Sequence, residues 1–279
     1  MTSRLSKAIA RLARLPRAAR EGQLLTTLRE DVAWAARGIR KQLVISNLLY
    51  FLDEERRLNR RFEERLTPVG PQHVRLGNYY LDGRIPLDES SVVYSFGVGM
   101  NIDFDLAIAR RAGCTVHLFD PTPESAVFME RYADQRHLRF MPVGVWTETA
   151  TVPFYEPPLG GSASMVMHAS GPPKFEGRVE PLRVLMTELG HEHIDVLKMD
   201  IEGAALDVLE QMVTEGILPT QIVVELERPR GDRRAILEFF DRVRTLCTEL
   251  ERRGYETRRL PRAKARYFGL ELLFARREA

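Results

Sequence analysis

From Ser91 onward the chain alternates short β-branched or aromatic runs with stretches of helical periodicity. This alternation limits the fold more than any other feature of its 279 residues. Val92–Phe96, Val116–Asp120, Leu138–Val145, Ile194–Asp200 and Gln221–Glu227 read as strands, and Ile102–Ala112, Glu124–Ala133, Ala204–Glu215 and Arg233–Arg253 as helices. Strands separated by helices pair in parallel and are covered on both faces. Tyr255–Leu260 and Tyr267–Ala275 come last, with no helix between them. They can pair only as a hairpin, so one of them runs against the rest. The expectation is an α/β, Rossmann-like domain with a mostly parallel seven-stranded sheet whose last strand pair is antiparallel. It occupies residues 71–279, because Thr67-Pro68-Val69-Gly70-Pro71 stops the preceding helical stretch.

The first strand runs into Ser95-Phe96-Gly97-Val98-Gly99-Met100-Asn101 and then a helix. Glycines there let the backbone turn tightly and a ligand approach closely. Asp120 ends the second strand, 21 residues beyond Gly99, where a carboxylate reaches the hydroxyls of an adenosine ribose. A dinucleotide fingerprint requires a third glycine at the helix start, and Ile102 stands there. Asn101 and Asp103 also sit at that helix start, and Asp103 places negative charge where a pyrophosphate would lie. S-adenosylmethionine has no phosphate and carries a cationic sulfonium, so the pattern favours it over a nicotinamide dinucleotide, which stays an alternative.

A second constellation, Ile194-Asp-Val-Leu-Lys-Met-Asp200-Ile-Glu202-Gly203, brings two carboxylates to the C-terminal end of a buried strand, where open α/β sheets bind ligands. Helix capping is the plainer role for one of them. Lys198 shares Asp200's side of the strand by alternation. It either raises the local positive potential or pairs with a structural carboxylate. The Gly- and Pro-rich stretch Thr151–Glu180 reads as a hairpin plus a loop near the substrate.

These segments resemble the FkbM-type methyltransferases. Val-Val-Tyr-Ser-Phe-Gly-Val-Gly over 92–99, Val-His-Leu-Phe-Asp-Pro-Thr over 116–122, and Leu197-Lys-Met-Asp-Ile-Glu-Gly-Ala carry the likeness, which covers roughly residues 73–276. The resemblance implies a class I methyltransferase fold and O-methyl transfer to a hydroxyl of a sugar, glycan or glycosylated metabolite. It assigns Phe96, Gly97, Val98, Gly99, Asn101, Asp120 and Pro121 to the cofactor, with Val145-Trp146 flanking the adenine and Asp200 facing the methyl group or the acceptor. The chain departs from the family at Ala205, where Glu is common, and at Glu227, where the fifth strand often ends Glu-x-His. Arg75-Leu76-Gly77 and Asp82-Gly83-Arg84 resemble its Arg-x-Gly and Asp-Gly-Gly elements, with Arg84 in place of the second Gly.

The expected catalytic residues are Asp200 and Glu202, one of them as the base that activates a hydroxyl. Arg75, His168, Lys198 and Glu227 are candidate substrate residues. A divalent metal on Asp200 and Glu202, with Glu227 as third ligand, is an alternative that is not favoured. His117, His191 and His193 lie toward the strand starts and so away from the site. Cys114 and Cys247 lack zinc-ligand spacing and suit a reducing cytoplasm.

Residues 1–66 hold 15 Lys and Arg against 8 Asp and Glu, a net +7, while the remainder carries −5. Arg4, Lys7, Arg11 and Arg14 line one face of an amphipathic helix over 4–20 that ends or kinks near Pro16. Leu25, Leu28, Val32, Ala35 and Ile39 form a short coiled-coil-like seam in a helical stretch from Gln23 to Leu66. Residues 1–70 are thus a basic helical segment for docking or oligomerisation. Its expected contacts are an anionic membrane surface or a glycosyltransferase through residues 1–20, and a homodimer through the seam. No nucleic acid is expected, since no aromatic residues interleave the basic run. With no apolar run near ~18–20 residues and no secretory signal, the chain is expected in the cytoplasm, peripheral on the inner membrane face where the basic helix docks. A non-catalytic binding module of the same fold is the alternative function.

Overall fold

The structure is a computed structural model that describes residues 54–156, 163–166, 171–229, 232–261 and 269–276. The basic helix over 4–20 and the seam over 25–39 lie outside the described residues. Contacts group the chain into units Met1–Arg57 and Leu58–Ala279, and the second unit holds all the described strands.

After helix α1 (Glu54–Glu63) comes a small antiparallel hairpin of β1 (His73–Leu76) and β2 (Tyr79–Asp82). The main alternation then runs β3 (Val93–Phe96), α2 (Asp103–Ala112), β4 (Val116–Phe119), α3 (Pro123–Met129) and β5 (Leu138–Met141). Strands β6 (Gly144–Val145), β7 (Ala150–Phe154) and β8 (Phe175–Glu180) form a separate three-stranded sheet. Helix α4 (Leu182–Leu189), β9 (Val196–Met199), α5 (Ala205–Thr214), β10 (Gln221–Glu227), α6 (Arg233–Arg252), β11 (Tyr255–Arg259) and β12 (Gly269–Arg276) complete the chain. The seven-stranded sheet has the order β11-β12-β10-β9-β3-β4-β5. Pairings among β10, β9, β3, β4 and β5 are parallel, and β12 alone is reversed, antiparallel to both β10 and β11.

Because successive strand residues face opposite ways, each central strand feeds two cores. Tyr94, Leu197, Ile222, Val224, Leu272 and Phe274 face α4, α5 and α6, with α1 packed alongside through Leu58 and Phe62. The Phe62 and Phe240 rings lie 5.3 Å apart. Val93, Val116, Val196, Val223 and Leu273 face the opposite way, toward α2 and the β1–β2 hairpin. The core of the compact unit therefore reaches upstream of the 67–71 turn.

Three features differ from the sequence reading. The run Leu138–Val145 is two strands, not one. Pro142 has no N–H to continue the ladder, Val143 N donates to Met141 O at 2.9 Å, and Gly144–Val145 leave the main sheet to pair in parallel with Val179–Glu180. Helix α4 is an addition. The Gly/Pro-rich insertion before it hides it in the sequence, and its apolar face of Leu182, Leu185 and Met186 is buried. The β1–β2 hairpin is a second addition, unannounced because each strand has only four residues. Among the described residues no helix is long and apolar enough to cross a membrane.

Phe274 is fully buried in the larger core, whereas Val127 is 62% exposed on α3. Phe274→Ala should lower unfolding stability by about 3–5 kcal/mol. Val127→Ala should change it by less than about 0.5 kcal/mol. Urea titrations followed by circular dichroism check both, and similar effects for the two would place the core wrongly.

Candidate active site

The ends of β3 and β9 meet more closely than any side chain allows. Gly97 follows β3 with φ of +82°, and a Cβ built there would stand 1.7 Å from the carbonyl oxygen of Asp200. The contact is tied on both sides. Asp200 N donates to Phe96 O at 3.1 Å, and Gly97 N donates to Phe119 O at 3.0 Å. Lys198 is buried beneath the turn, and its Nζ donates to Gly97 O at 2.6 Å and Phe96 O at 3.2 Å. Its hydrogen bonds go to backbone carbonyls and not to a carboxylate. Its charge faces the fully buried Asp105, whose carboxyl is raised by burial and partly lowered again by Lys198.

Gly99 plays a different part. Its φ is +52°, yet a Cβ there would meet nothing within 4 Å, so the turn leaves open space beside its backbone. Asp120 fixes this stretch. Its Oδ2 accepts from Gly99 N at 2.9 Å, and its Oδ1 accepts from Thr122 N at 2.8 Å and from Thr122 Oγ1 at 2.5 Å. Asn101 Oδ1 accepts from Asp103 N at 2.8 Å and so steadies the start of α2.

The turn opens onto a cavity of about 350 Å³, within the size range of small-molecule sites. Phe96, Gly97, Val98, Gly99, Asn101, Asp120 and Pro121 line it. Val145, Lys198, Asp200 and Glu202 line it as well. The 163–166 segment of the insertion contributes Ser164, whose Oγ donates to Glu202 O at 2.7 Å.

Three expected residues stand elsewhere. Trp146 packs half-buried against the larger core, with its N–H bonded to Glu180 O, and does not line the cavity. Arg75 is exposed and donates to Gly77 O at 2.9 Å. Its position on β1, opposite Tyr80, turns it away from the cavity. Glu227 lines a neighbouring depression with Gly203 and Val166. His168 lies outside the described residues. His117 and His191 are ring neighbours 4.9 Å apart near the strand starts, and burial lowers His117 to about 4.

Two residues near Asp200 are legible in the sequence only in part. Tyr79, from the added hairpin, donates to Asp200 Oδ2 at 2.7 Å. Glu202 is the one described non-glycine residue with positive φ, 47°, a conformation that persists only where surroundings hold it. Its side chain is hydrogen-bonded to Glu227, which burial, followed by the Glu202 charge, raises well above the ordinary carboxylate range. Among the described residues no three His, Cys, Asp or Glu side chains come together to hold a metal ion. Asp200, Glu202 and Glu227 therefore do not form the three-ligand set weighed from sequence.

The charge of the cavity tests the cofactor choice. Four carboxyls line it, those of Asp105, Asp120, Asp200 and Glu202, against the single amine of Lys198, which is already bonded to two carbonyls. A pyrophosphate would be repelled there, while a cationic sulfonium would not. The open space at Gly99 and the carboxylate of Asp120 suit the amino-acid and ribose parts of S-adenosylmethionine.

A reversed strand second from the sheet edge, a glycine turn after the central strand and an acid closing its neighbour define the class I methyltransferase fold. The description "Methyltransferase FkbM domain" matches residues 97–257, more than half of the chain, and the chain belongs to that family. It is 30% identical over 137 residues to the human "Probable methyltransferase-like protein 24", an alignment covering 48% of this chain and 32% of that protein. The rat protein of the same name is 27% identical over 172 residues, covering 58% and 41%. The chain thus spans about a third of the human and two-fifths of the rat relative. Among solved structures, methyltransferase FkbM from Methylobacillus flagellatus aligns at a TM-score of 0.47 with 12% identity, covering 77% of this chain and 50% of that one.

The two glycines should respond differently to alanine. Gly97→Ala meets backbone and should cost more than about 3 kcal/mol of stability. Gly99→Ala meets only the left-handed penalty of about 1–2 kcal/mol. Chemical denaturation distinguishes them, and equal losses would contradict the close approach at Gly97.

Glu227 gives a pH dependence of known sign. Its pKa is higher folded than unfolded, so the folded state binds more protons. Stability is greatest below the unfolded value and falls as pH rises toward the folded one. The chain should lose stability between about pH 5 and about pH 8, and Glu227→Gln should flatten that slope. Urea midpoints at the two pH values check this, and an unchanged slope in the variant counts against a protonated Glu227.

Proposed function

We propose that this chain transfers the methyl group of S-adenosylmethionine to a hydroxyl of a sugar, glycan or glycosylated metabolite. The observation that carries the reading is the Gly97–Gly99 turn, pinned by Asp120 and opening onto a carboxyl-lined cavity. When bound, the cofactor supplies an electrophilic methyl group on a positively charged sulfur.

The residues around it then divide the work. Asp120 holds the Gly99 backbone and presents its carboxylate to the ribose. Phe96 and Val98, beside the turn, and Val145, across the cavity, supply apolar surface. Asp200 and Glu202 stand at the end of β9, where the acceptor approaches. In-line displacement at carbon demands alignment of nucleophile, methyl and sulfur, and such positioning lowers a barrier by ~7–11 kcal/mol. A hydroxyl is a weak nucleophile at neutral pH, and a carboxylate base contributes ~10²–10⁴-fold. Asp200 fits this role better than Glu202, because Tyr79 fixes its carboxylate while Glu202 is engaged with Glu227.

The same charges bear on the acceptor. A phosphorylated or acidic sugar would meet repulsion from Asp200 and Glu202, so a neutral polyol is the favoured class. The basic segment 1–70 is the proposed docking or oligomerisation element of the chain.

Titration with S-adenosylmethionine should show binding, and Asp120→Asn should weaken it at least about tenfold while circular dichroism stays unchanged. Turnover is read as S-adenosylhomocysteine released with neutral glycan acceptors. Binding without turnover on any hydroxyl would return the non-catalytic reading, and faster reaction with sugar phosphates would remove the acceptor class.

A further inference from the structure

We infer that Tyr79 is a positioning residue of the methyl-transfer site, holding the Asp200 carboxylate in the orientation that faces the sulfonium and the acceptor. This rests on the proposed function and extends it to a segment upstream of the family match, which begins at Gly97.

The geometry assigns Tyr79 more than a wall's duty. The β1–β2 hairpin is seated against the first turn of α2. Gly77 has φ of +55°, and a Cβ there would lie 2.6 Å from Phe104 N and 2.9 Å from the Asp103 carbonyl carbon. No larger residue lets the hairpin come so near. The other end of β2 is anchored where Asp82 N donates to Gln221 Oε1 at 2.8 Å. Between these anchors the Tyr79 ring packs edge-on to Phe104, with centroids 5.5 Å apart at 80°. Lys198 Nζ lies 5.5 Å from the ring centroid.

Ring and backbone are thus fixed before the hydroxyl makes its bond. The phenol donates to Asp200 Oδ2 at 2.7 Å, and Tyr79 and Asp200 line the same cavity. Burial and the Asp200 charge raise the phenol above its ordinary range, so it stays protonated and can only donate here. With the phenol on Oδ2, the carboxylate keeps acceptor sites for a ligand. A carboxylate fixed in this way needs no reorganisation when positive charge approaches.

The test compares the full chain with Tyr79→Phe, Asp200→Asn and the double variant, by calorimetry with S-adenosylmethionine and S-adenosylhomocysteine. Tyr79→Phe keeps the ring and removes only the hydroxyl. It should weaken the sulfonium ligand by about tenfold, as for a hydrogen bond to a charged group. The uncharged product should be affected less, and the double variant should be no weaker than Asp200→Asn alone. Equal losses for both ligands, losses that multiply in the double variant, or unchanged affinity in Tyr79→Phe each overturn the inference. A second readout needs no ligand. In chain labelled with 3-fluorotyrosine, the ¹⁹F resonance missing from Tyr79→Phe should shift in Asp200→Asn, and a resonance that does not move removes the hydrogen bond and the inference with it. If the unaltered chain binds neither ligand, the cofactor reading itself has failed, whatever the fluorine spectrum shows.

Discussion

The contact between the ends of β3 and β9 governs the rest of the site. A glycine must occupy position 97 because the Asp200 carbonyl takes the space of its side chain. Once the strands are that close, the two carbonyls before the turn converge, and Lys198 binds them both from below. Without an amine there, the Gly97 carbonyl would lose the one hydrogen bond described for it, and Phe96 O would keep only its bond from Asp200 N. The turn, the buried lysine and the approach of Asp200 are therefore one arrangement. It brings the Asp200 carboxylate and the Gly97–Gly99 turn into a single cavity at the C-terminal edge of the sheet.

The walls of that cavity come from parts of the chain far apart in sequence. The parallel sheet supplies the floor. The hairpin of β1 and β2 supplies Asn78 and Tyr79, and the insertion supplies Ser164, bound to the Glu202 carbonyl. The hairpin and the insertion both fasten to backbone of the central elements, at the start of α2 and at the turn after β9. The positive φ of Glu202 belongs to the same set of constraints. Its carbonyl is held by Ser164 and its side chain by Glu227, so a conformation that costs a free residue about 1–3 kcal/mol is kept in place by its neighbours.

The parallel core is readable because its signals are local. Strand–helix alternation, the glycines of the turn and an acid 21 residues on depend on near neighbours, and each lies where the alternation places it. The reversed final strand is implied by the missing helix between β11 and β12. The features that escape a sequence reading depend on long-range contacts or on short elements. Pro142 divides one apparent strand into two, but only the position of β8 shows where the second half goes. Tyr79 lies 121 residues from its partner Asp200, and a four-residue strand carries no periodicity to announce it. Trp146 comes directly after a cavity residue, yet it packs against the larger core and does not line the cavity. Arg75 is exposed on β1 and outside the cavity lining, since motif resemblance says which segment is near a site but not which way a side chain points.

How the cavity carries its charge bears on what it binds. The chain contains 36 arginines, yet none lines this cavity among the described residues. The carboxyls are held instead by neutral donors: backbone N–H and a threonine hydroxyl at Asp120, and a phenol at Asp200. Neutral donors stabilise an ionised carboxylate without cancelling its field, whereas an arginine would do both. Where extra negative charge would serve no ligand it is reduced, by burial that favours the protonated forms of Asp105 and Glu227. The remaining charges sit on either side of the glycine turn, on Asp120 and on Asp200. A cationic centre placed between them would be attracted from both directions, whereas an anionic one would be repelled.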